Sequence, residues 1–342
     1  MEEISLKIKT IFFGSDNFSL DILKRISNEI DYIEIIGIIT TPDKPKGRGY
    51  KLSPTVVKKF AIEKKIKCIS PSSLKKEKDE ILNFIKDAQM GLLVSYGKII
   101  PEYLLESFKL GIFNIHPSLL PKYRGASPIE TCLLNGDSIT GVSLILLTPG
   151  LDEGPVFAQE KLVIKKEDDV SILRKKLVDL AIKILKQSKD KFFSFKNYLE
   201  ENNLTAYKFY KFYKDFLKYF TPQKDLPYEI SYTSKLSNNL RIISFRKETA
   251  QEILNKIKAL KERKPPYFLL KGKQVQILKA RIYKENSNFK PGQIAKVTKN
   301  SFLIQTKDGL LEPLVLKKEG KKEVDVKSFL AGIKLKEGEF LE

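Results

Sequence analysis

Through roughly the first 190 positions, short apolar runs alternate with stretches whose apolar residues recur three or four apart. The runs are KIKTIFFG (7–14), IEIIGIIT (33–40), GLLVSYG (91–97), GIFNIHPS (111–118), GVSLILLTPG (141–150) and VFAQEKLVI (156–164). Their length and composition predict strands, several of them ending at a glycine. Between them, SDNFSLDILKRI reads as a helix capped by Ser15 or Asp16, residues 55–65 as a second helix, and about 171–187 as a third. Strands alternating with helices predict an α/β domain on a mostly parallel, Rossmann-like sheet. Such sheets put ligands at the carboxyl ends of their strands. The G-x-G-x-x-G fingerprint is absent, and the first turn offers only Gly14, so no dinucleotide is inferred.

The pattern changes near Lys189. FFSFKNYLEENNLTAYKFYKFYKDFLKYF is crowded with Phe, Tyr and Lys and reads as a partly helical connector. Its rings could stack on nucleotide bases or pack the connector against a domain. A helix at about 248–260 follows. Short strands come next, in YFLLKGKQVQILKARIY and GQIAKVTKNSFLIQTKDGLLEPLVL, with a turn at Lys307–Asp308–Gly309, and VDVKSFLAGI closes as a short helix. That spacing predicts a small, OB-like β-barrel. The expected divisions are a catalytic domain over 1–188, a linker over 189–228 and a barrel domain over 229–342.

The 342 residues suffice for one core-building domain and a smaller second one. No apolar run approaches the ~18–20 residues that cross a bilayer. MEEISLKIKT has the features of neither a signal nor a transit peptide, so a cytoplasmic protein is expected. Cys68 and Cys132 supply neither a zinc cage nor a disulfide framework; no metal is expected. The net charge of +20 is uneven: residues 204–342 carry 30 Lys and Arg against 15 Asp and Glu, while residues 1–203 carry 32 against 27. A lysine-rich surface habit would act on both parts. The concentration in the second favours a polyanion partner there.

The densest chemistry lies in GIFNIHPSLLPKYRGASPIE and TGVSLILLTPGLDEGP. Asn114 and His116 sit two apart at a predicted strand end, so both side chains leave on one face. Asp152 follows a later strand in a Pro-Gly-containing loop. Together the three suit acyl transfer to an amine, which is its own nucleophile. The Asn amide would hydrogen-bond the oxyanion. The only histidine of the chain would carry the proton, and the carboxylate would fix and charge-stabilise the ring. Spacing alone leaves other readings open: a structural histidine, a turn asparagine, a loop-capping aspartate.

NIHPSLLPKYRGASPI, with Leu151–Asp152–x–Gly154 downstream, resembles the signature of the 10-formyltetrahydrofolate-dependent formyltransferases. The resemblance implies a reduced folate as formyl donor, with Asn114, His116 and Asp152 catalytic. It implies that Ser118, Leu119, Leu120 and Pro121 form a folate loop, and that Val94, Ser95, Tyr96 and Gly97 line the pterin pocket. The opening FFGSDNFSLDIL and the loop TPDKPKGRGYKLSPTVVK are similar to the branch of that family that formylates initiator methionyl-tRNA. By that match Arg48, supported by Lys44, Lys46 and Lys51, contacts the tRNA. The C-terminal strands resemble the barrel of the same branch. This implies a monomeric enzyme of translation initiation with no membrane partner. Pro117 and the DEGP loop look more like glycinamide ribonucleotide formyltransferase. Another amine acceptor, such as that nucleotide or an amino-sugar nucleotide, therefore stays open, as does a catalytically silent RNA-binding relative.

Overall fold

The computed structural model describes residues 7–46, 51–212, 214–283, 285 and 287–341. In chain order its first elements are β1 (Ile8–Gly14), α1 (Asn17–Glu29), β2 (Ile33–Ile39), a hairpin of β3 (Lys44–Lys46) and β4 (Lys51–Ser53), α2 (Val56–Glu63), β5 (Cys68–Ile69), α3 (Lys78–Ile85), β6 (Met90–Val94), α4 (Glu102–Glu106) and β7 (Ile112–His116). Then come β8 (Arg124–Gly125), α5 (Pro128–Leu134), β9 (Ile139–Leu146), β10 (Val156–Val163), α6 (Val170–Gln187), α7 (Lys189–Glu201), α8 (Ala206–Phe212) and β11 (Tyr232–Thr233). The chain ends with α9 (Ala250–Leu260), β12 (Tyr267–Leu270), β13 (Lys273–Tyr283), β14 (Ile294–Val297), β15 (Phe302–Gln305), β16 (Leu310–Lys318), β17 (Glu323–Asp325) and α10 (Val326–Ala331). No helix among the described residues is long and apolar enough to cross a membrane.

Two compact units emerge. The first takes described residues within 1–126, 139–163 and 174–232; the second takes 127–138, 164–173 and those from 233 onward. The first unit is built on a seven-stranded sheet ordered β10-β9-β7-β6-β1-β2-β5. The strands from β5 to β7 are parallel, and β9 and β10 run antiparallel to their neighbours. After β1 the chain builds β2 and β5 on one side, then returns to lay β6 and β7 on the other. The reversal falls between β1 and β6, the kind of switch point beside which open α/β sheets bind ligands at the carboxyl ends of their strands.

Local sequence explains the elements. Asp16 caps α1: its carboxylate accepts from the Ser19 N–H at 3.0 Å, and the Ser19 hydroxyl accepts from the Asp16 N–H at 3.0 Å. Such a cap contributes about 1 kcal/mol. Phe18, Ile22, Leu23 and Ile26 then fall on one helix face and are fully buried. Each such side chain contributes roughly 1.5–3 kcal/mol. β6 and β7 are buried along their whole length, as strands with covered faces must be.

The aromatic stretch after Lys189 belongs to this core. Phe192 of α7 sits 4.9 Å, ring to ring, from Phe113 of β7 and 4.6 Å from Phe157 of β10. Phe195 meets Phe209 and Phe220 at 5.6 and 5.3 Å. The rings fill the face of the sheet, because helices this apolar gain more from burial than a tether in water could.

In the second unit, β12-β13-β16-β15-β14 with β17 on β16 form a six-stranded antiparallel sheet of the small-barrel type. Register shifts in β13–β16 and β14–β15 sharpen its twist. Its core holds Ile253 and Ile257 of α9 with Phe268, Ile277, Phe302, Leu316 and Phe329. Thr249 and Glu252 form a reciprocal cap on α9, and α5 packs on the same helix.

Candidate functional site

β7 carries Asn114 and His116 toward the carboxyl edge of the sheet, beside the end of β6: Leu93 pairs with Asn114. Alternate residues of an extended strand share a face. Both side chains meet Asp152, which lies in the loop between β9 and β10. The Asn114 amide donates to Asp152 Oδ1 at 3.1 Å, and His116 Nδ1 stands 3.7 Å from Asp152 Oδ2. The Gly125 N–H donates to the same Oδ2 at 2.8 Å. Asn114 and His116 are 5% and 4% exposed, and the Asp152 side chain 12%, so the group is nearly dry but reachable.

The imidazole has a defined proton. His116 Nε2 lies 2.9 Å from the carbonyl oxygen of Tyr123, which only accepts hydrogen bonds. Nε2 therefore carries the hydrogen, and in the neutral ring Nδ1 is bare and faces the carboxylate. Tyr123 holds its carbonyl there from a left-handed conformation, φ 64°, with its own N–H bonded to Ser231 Oγ at 2.9 Å.

Asp152 is strained as well, at φ 50°. A non-glycine residue there costs roughly 1–2 kcal/mol, so the surroundings must hold it. Gln223 does so. Its amide nitrogen donates to the carbonyls of Asp152 and Gly154, both at 2.7 Å. Its amide oxygen accepts from Arg124 Nε and Nη2 at 3.0 and 2.7 Å. Arg124, 7% exposed, also donates from Nη1 to Glu153 at 3.2 Å and to the Tyr232 hydroxyl at 3.2 Å. A buried guanidinium requires such a set of acceptors. Gly154 itself touches β9: a Cβ there would stand 1.8 Å from the Leu146 carbonyl oxygen.

The other expected site residues fall in three places. In the first, Leu119 and Leu120 are buried, the Leu120–Pro121 peptide is cis, and Ser118 Oγ donates to the Lys122 carbonyl at 2.6 Å. Ser143 and Gln159 hold this turn from β9 and β10: Ser143 Oγ donates to the Ser118 carbonyl at 2.7 Å and Gln159 to the Leu120 carbonyl at 3.0 Å. In the second, Val94 ends β6 and the chain turns through Ser95 (φ 46°) and Gly97 (φ 79°). Gly97 is open, with nothing within 4 Å of a Cβ. The Tyr96 side chain instead enters the core, edge-on to Phe13 at 5.7 Å. Its hydroxyl has no hydrogen-bond partner among the described residues, and burial pushes its pKa well up. In the third place, the hairpin, Lys44 pairs with Ser53 and Lys46 with Lys51 across two strands; the Lys58–Asp43 ion pair at 2.8 Å braces its base. Arg48 lies outside the described residues.

Arg124, Gln223, Glu153, Tyr232 and the Tyr123 carbonyl were absent from the expectations. One signal was in the sequence: Arg124 stands inside the densest motif, between Tyr123 and Gly125. Its partners are 29, 99 and 108 residues away, where no local pattern reaches.

The chain thus combines a mostly parallel sheet, ending in the antiparallel strands β9 and β10, with an amide, an imidazole and a carboxylate gathered at its carboxyl side, and a small antiparallel sheet after it. Residues 6–188 match the formyl transferase family and residues 235–334 the formyl transferase C-terminal domain, and the chain belongs to that family. Its curated relatives include the methionyl-tRNA formyltransferase of Thermodesulfovibrio yellowstonii, 33% identical over 96% of this chain and 97% of the relative. That of Dictyoglomus thermophilum is 35% identical over 98% of this chain and 100% of the relative. The fold recurs in an N-formyltransferase from Helicobacter canadensis crystallised with folinic acid and dTDP-3-aminofucose. There the TM-score is 0.58 at 21% identity, covering 91% of this chain and 99% of that one.

Proposed function

We propose that the chain transfers the formyl group of 10-formyltetrahydrofolate to the free amino group of methionine on initiator methionyl-tRNA, in the cytoplasm, for translation initiation. The observation that carries the reading is the convergence of Asn114 and His116 on the Asp152 carboxylate, at 3.1 and 3.7 Å, on a chain that parallels methionyl-tRNA formyltransferases over nearly its whole length.

Each residue has a task. The amino nitrogen attacks the formyl carbon, and negative charge develops on the formyl oxygen. The Asn114 amide has two hydrogens; one is bonded to Asp152, and the second is available for that oxygen. The bare Nδ1 of His116 takes the proton that the amine loses. Asp152 Oδ2 stands 3.7 Å from that nitrogen, and the Tyr123 carbonyl keeps Nε2–H in place. The bond from the formyl carbon to N10 of the folate then breaks, and the proton on Nδ1 goes to that nitrogen. One N–C bond forms, one breaks, and one proton moves from acceptor to donor. The turns at 94–97 and 118–121, at the carboxyl edge of the sheet, are the proposed folate contacts. The lysines of the β3–β4 hairpin with Arg48, and the surplus of Lys and Arg after residue 204, are the proposed tRNA contacts.

The test is formyl transfer by the purified chain with 10-formyltetrahydrofolate and three acceptors: methionyl-tRNA, glycinamide ribonucleotide and an amino-sugar nucleotide. Formylation of methionyl-tRNA alone is expected. Turnover of either other acceptor with methionyl-tRNA untouched would overturn the assignment, and no turnover at all would make the chain a silent relative.

A further inference from the structure

We propose that Gln223 is a positioning residue for the reaction, acting through Asp152; the inference rests on the formyl-transfer reading above. Gln223 lies outside the densest motif, in the segment that follows the aromatic helices, yet it is 5% exposed and reaches the loop that carries the carboxylate.

Four hydrogen bonds fix its amide. The carbonyls of Asp152 and Gly154 can only accept and the Arg124 guanidinium can only donate, so the orientation of nitrogen and oxygen is unambiguous. The two donated bonds grip the carbonyls on either side of Glu153. They pin the backbone of Asp152 in its left-handed conformation, which no glycine is there to make easy. That conformation sends Oδ1 to Asn114 and Oδ2 to the Gly125 N–H and toward His116 Nδ1. The segment is itself anchored: Thr221 exchanges two backbone hydrogen bonds with Val156, each 2.8 Å, at the start of β10. Farther along, the Ser231 hydroxyl holds the Tyr123 N–H, so the same segment steadies the turn whose carbonyl sets the His116 proton. The four hydrogen bonds of the Gln223 amide go to main-chain carbonyls and to Arg124. Its influence on the three reactive side chains runs through main-chain placement of Asp152.

Two substitutions in the full chain separate positioning from general support. Gln223→Leu keeps the volume and removes every hydrogen bond. Gln223→Glu keeps the volume and an acceptor oxygen for Arg124, but turns its second oxygen toward the two carbonyls. Since a displacement of about 1 Å costs roughly a hundredfold, both variants should lower kcat by about 30- to 100-fold, with KM for each substrate within about threefold.

A second readout needs no substrate. The chain has one histidine, so the 15N spectrum of its imidazole reports His116 alone. Wild-type protein should show an Nε2–H tautomer, and both variants should displace the Nδ1 resonance as Asp152 moves. The proposal is overturned if either variant turns over within threefold of wild type, or if the His116 resonances stay where they are. It is equally overturned if the glutamate variant restores both stability and kcat, which is how mere structural support behaves. Inactive wild-type protein would count against the formyl-transfer reading, while the imidazole spectrum would still decide the role of Gln223.

Discussion

Gly154→Ala tests whether the Asp152 loop has any freedom to move. The added Cβ would lie 1.8 Å from the carbonyl oxygen of Leu146 and 2.9 Å from its carbonyl carbon. Ordinary contact begins near 3.4 Å, so about 1.5 Å must be opened. Leu146 cannot supply it. It ends β9, pairs with Phe113 of β7, and its N–H is bonded to the Pro155 carbonyl at 3.0 Å. The loop must yield, and with it go the Gln223 bonds to Asp152 and Gly154 and the 2.8 Å contact between Asp152 and the Gly125 N–H. Overpacking of this kind costs about 1–3 kcal/mol in stability. A carboxylate displaced by about 1 Å costs roughly a hundredfold in rate, near 3 kcal/mol of barrier. The assay is single-turnover formyl transfer at saturating substrates, with thermal denaturation alongside. Gly150→Ala is the control in the same loop: its Cβ would meet the half-exposed Glu153 side chain, whose carboxylate can shift within its contact to Arg124, and no backbone atom as near. That variant should retain its rate within about threefold. If the two alanines slow transfer equally, or if Gly154→Ala transfers at the wild-type rate, the rigid-loop account is wrong.

Three further outcomes follow from the same geometry. Asn114→Ala removes the proposed oxyanion donor and should lower the single-turnover rate by about 10²–10³-fold with substrate affinities preserved; a loss below about fivefold would remove the amide from the mechanism. Replacing Lys44, Lys46 and Lys51 together by alanine should weaken tRNA binding and flatten its dependence on log salt by about 1 per lost phosphate contact, leaving folate affinity unchanged; an unaltered slope would take the hairpin off the tRNA. Burial pushes the Cys68 thiol up to about 11. The thiolate is therefore about a thousandth of the total at pH 8, so alkylation of native protein should be slow there and rise about tenfold per pH unit toward 11. A rate that levels off near pH 9 would contradict that environment.

What the sequence disclosed and what it withheld divide along a physical line. The strand 90–94 was legible because burial on both faces demands an unbroken apolar run, 33–39 because a single exposed Glu34 interrupts an otherwise apolar stretch, and α1 because its apolar spacing and cap are local. Strand direction was not: β9 carries the same apolar run whether it pairs parallel or antiparallel, and only the loops decide. The aromatic stretch after Lys189 announced burial but not its surface, since the ring partners Phe113 and Phe157 come from distant strands. In the site, Asn114, His116 and Asp152 stood out because residue type and spacing suggest chemistry. Gln223 and Ser231 did not, because an amide or hydroxyl that serves by holding main-chain groups has no pattern of its own. Tyr96 was expected beside the folate; its turn lies at the sheet edge, while its ring sits in the core.

The arrangement of the three reactive groups carries one more consequence for the proposed chemistry. Attack by a neutral amine on the formyl carbon creates an ammonium and an oxyanion together, and transfer of the proton to Nδ1 turns that pair into an imidazolium and an oxyanion. Release of the proton to N10 restores the starting charges. At no stage does charge enter or leave the pocket; it moves over a few ångströms between groups already fixed by Asp152, Gly125 and the Tyr123 carbonyl. In a site where Asn114 and His116 are about 95% buried, a change of net charge would be heavily penalised, whereas an internal displacement between pre-oriented dipoles is not. The same reasoning explains why the carboxylate is tied down by an amide and a backbone N–H instead of by a cation. A lysine or arginine there would oppose the imidazolium that the reaction must form, and the buried guanidinium of Arg124 is accordingly turned to Gln223 and Glu153.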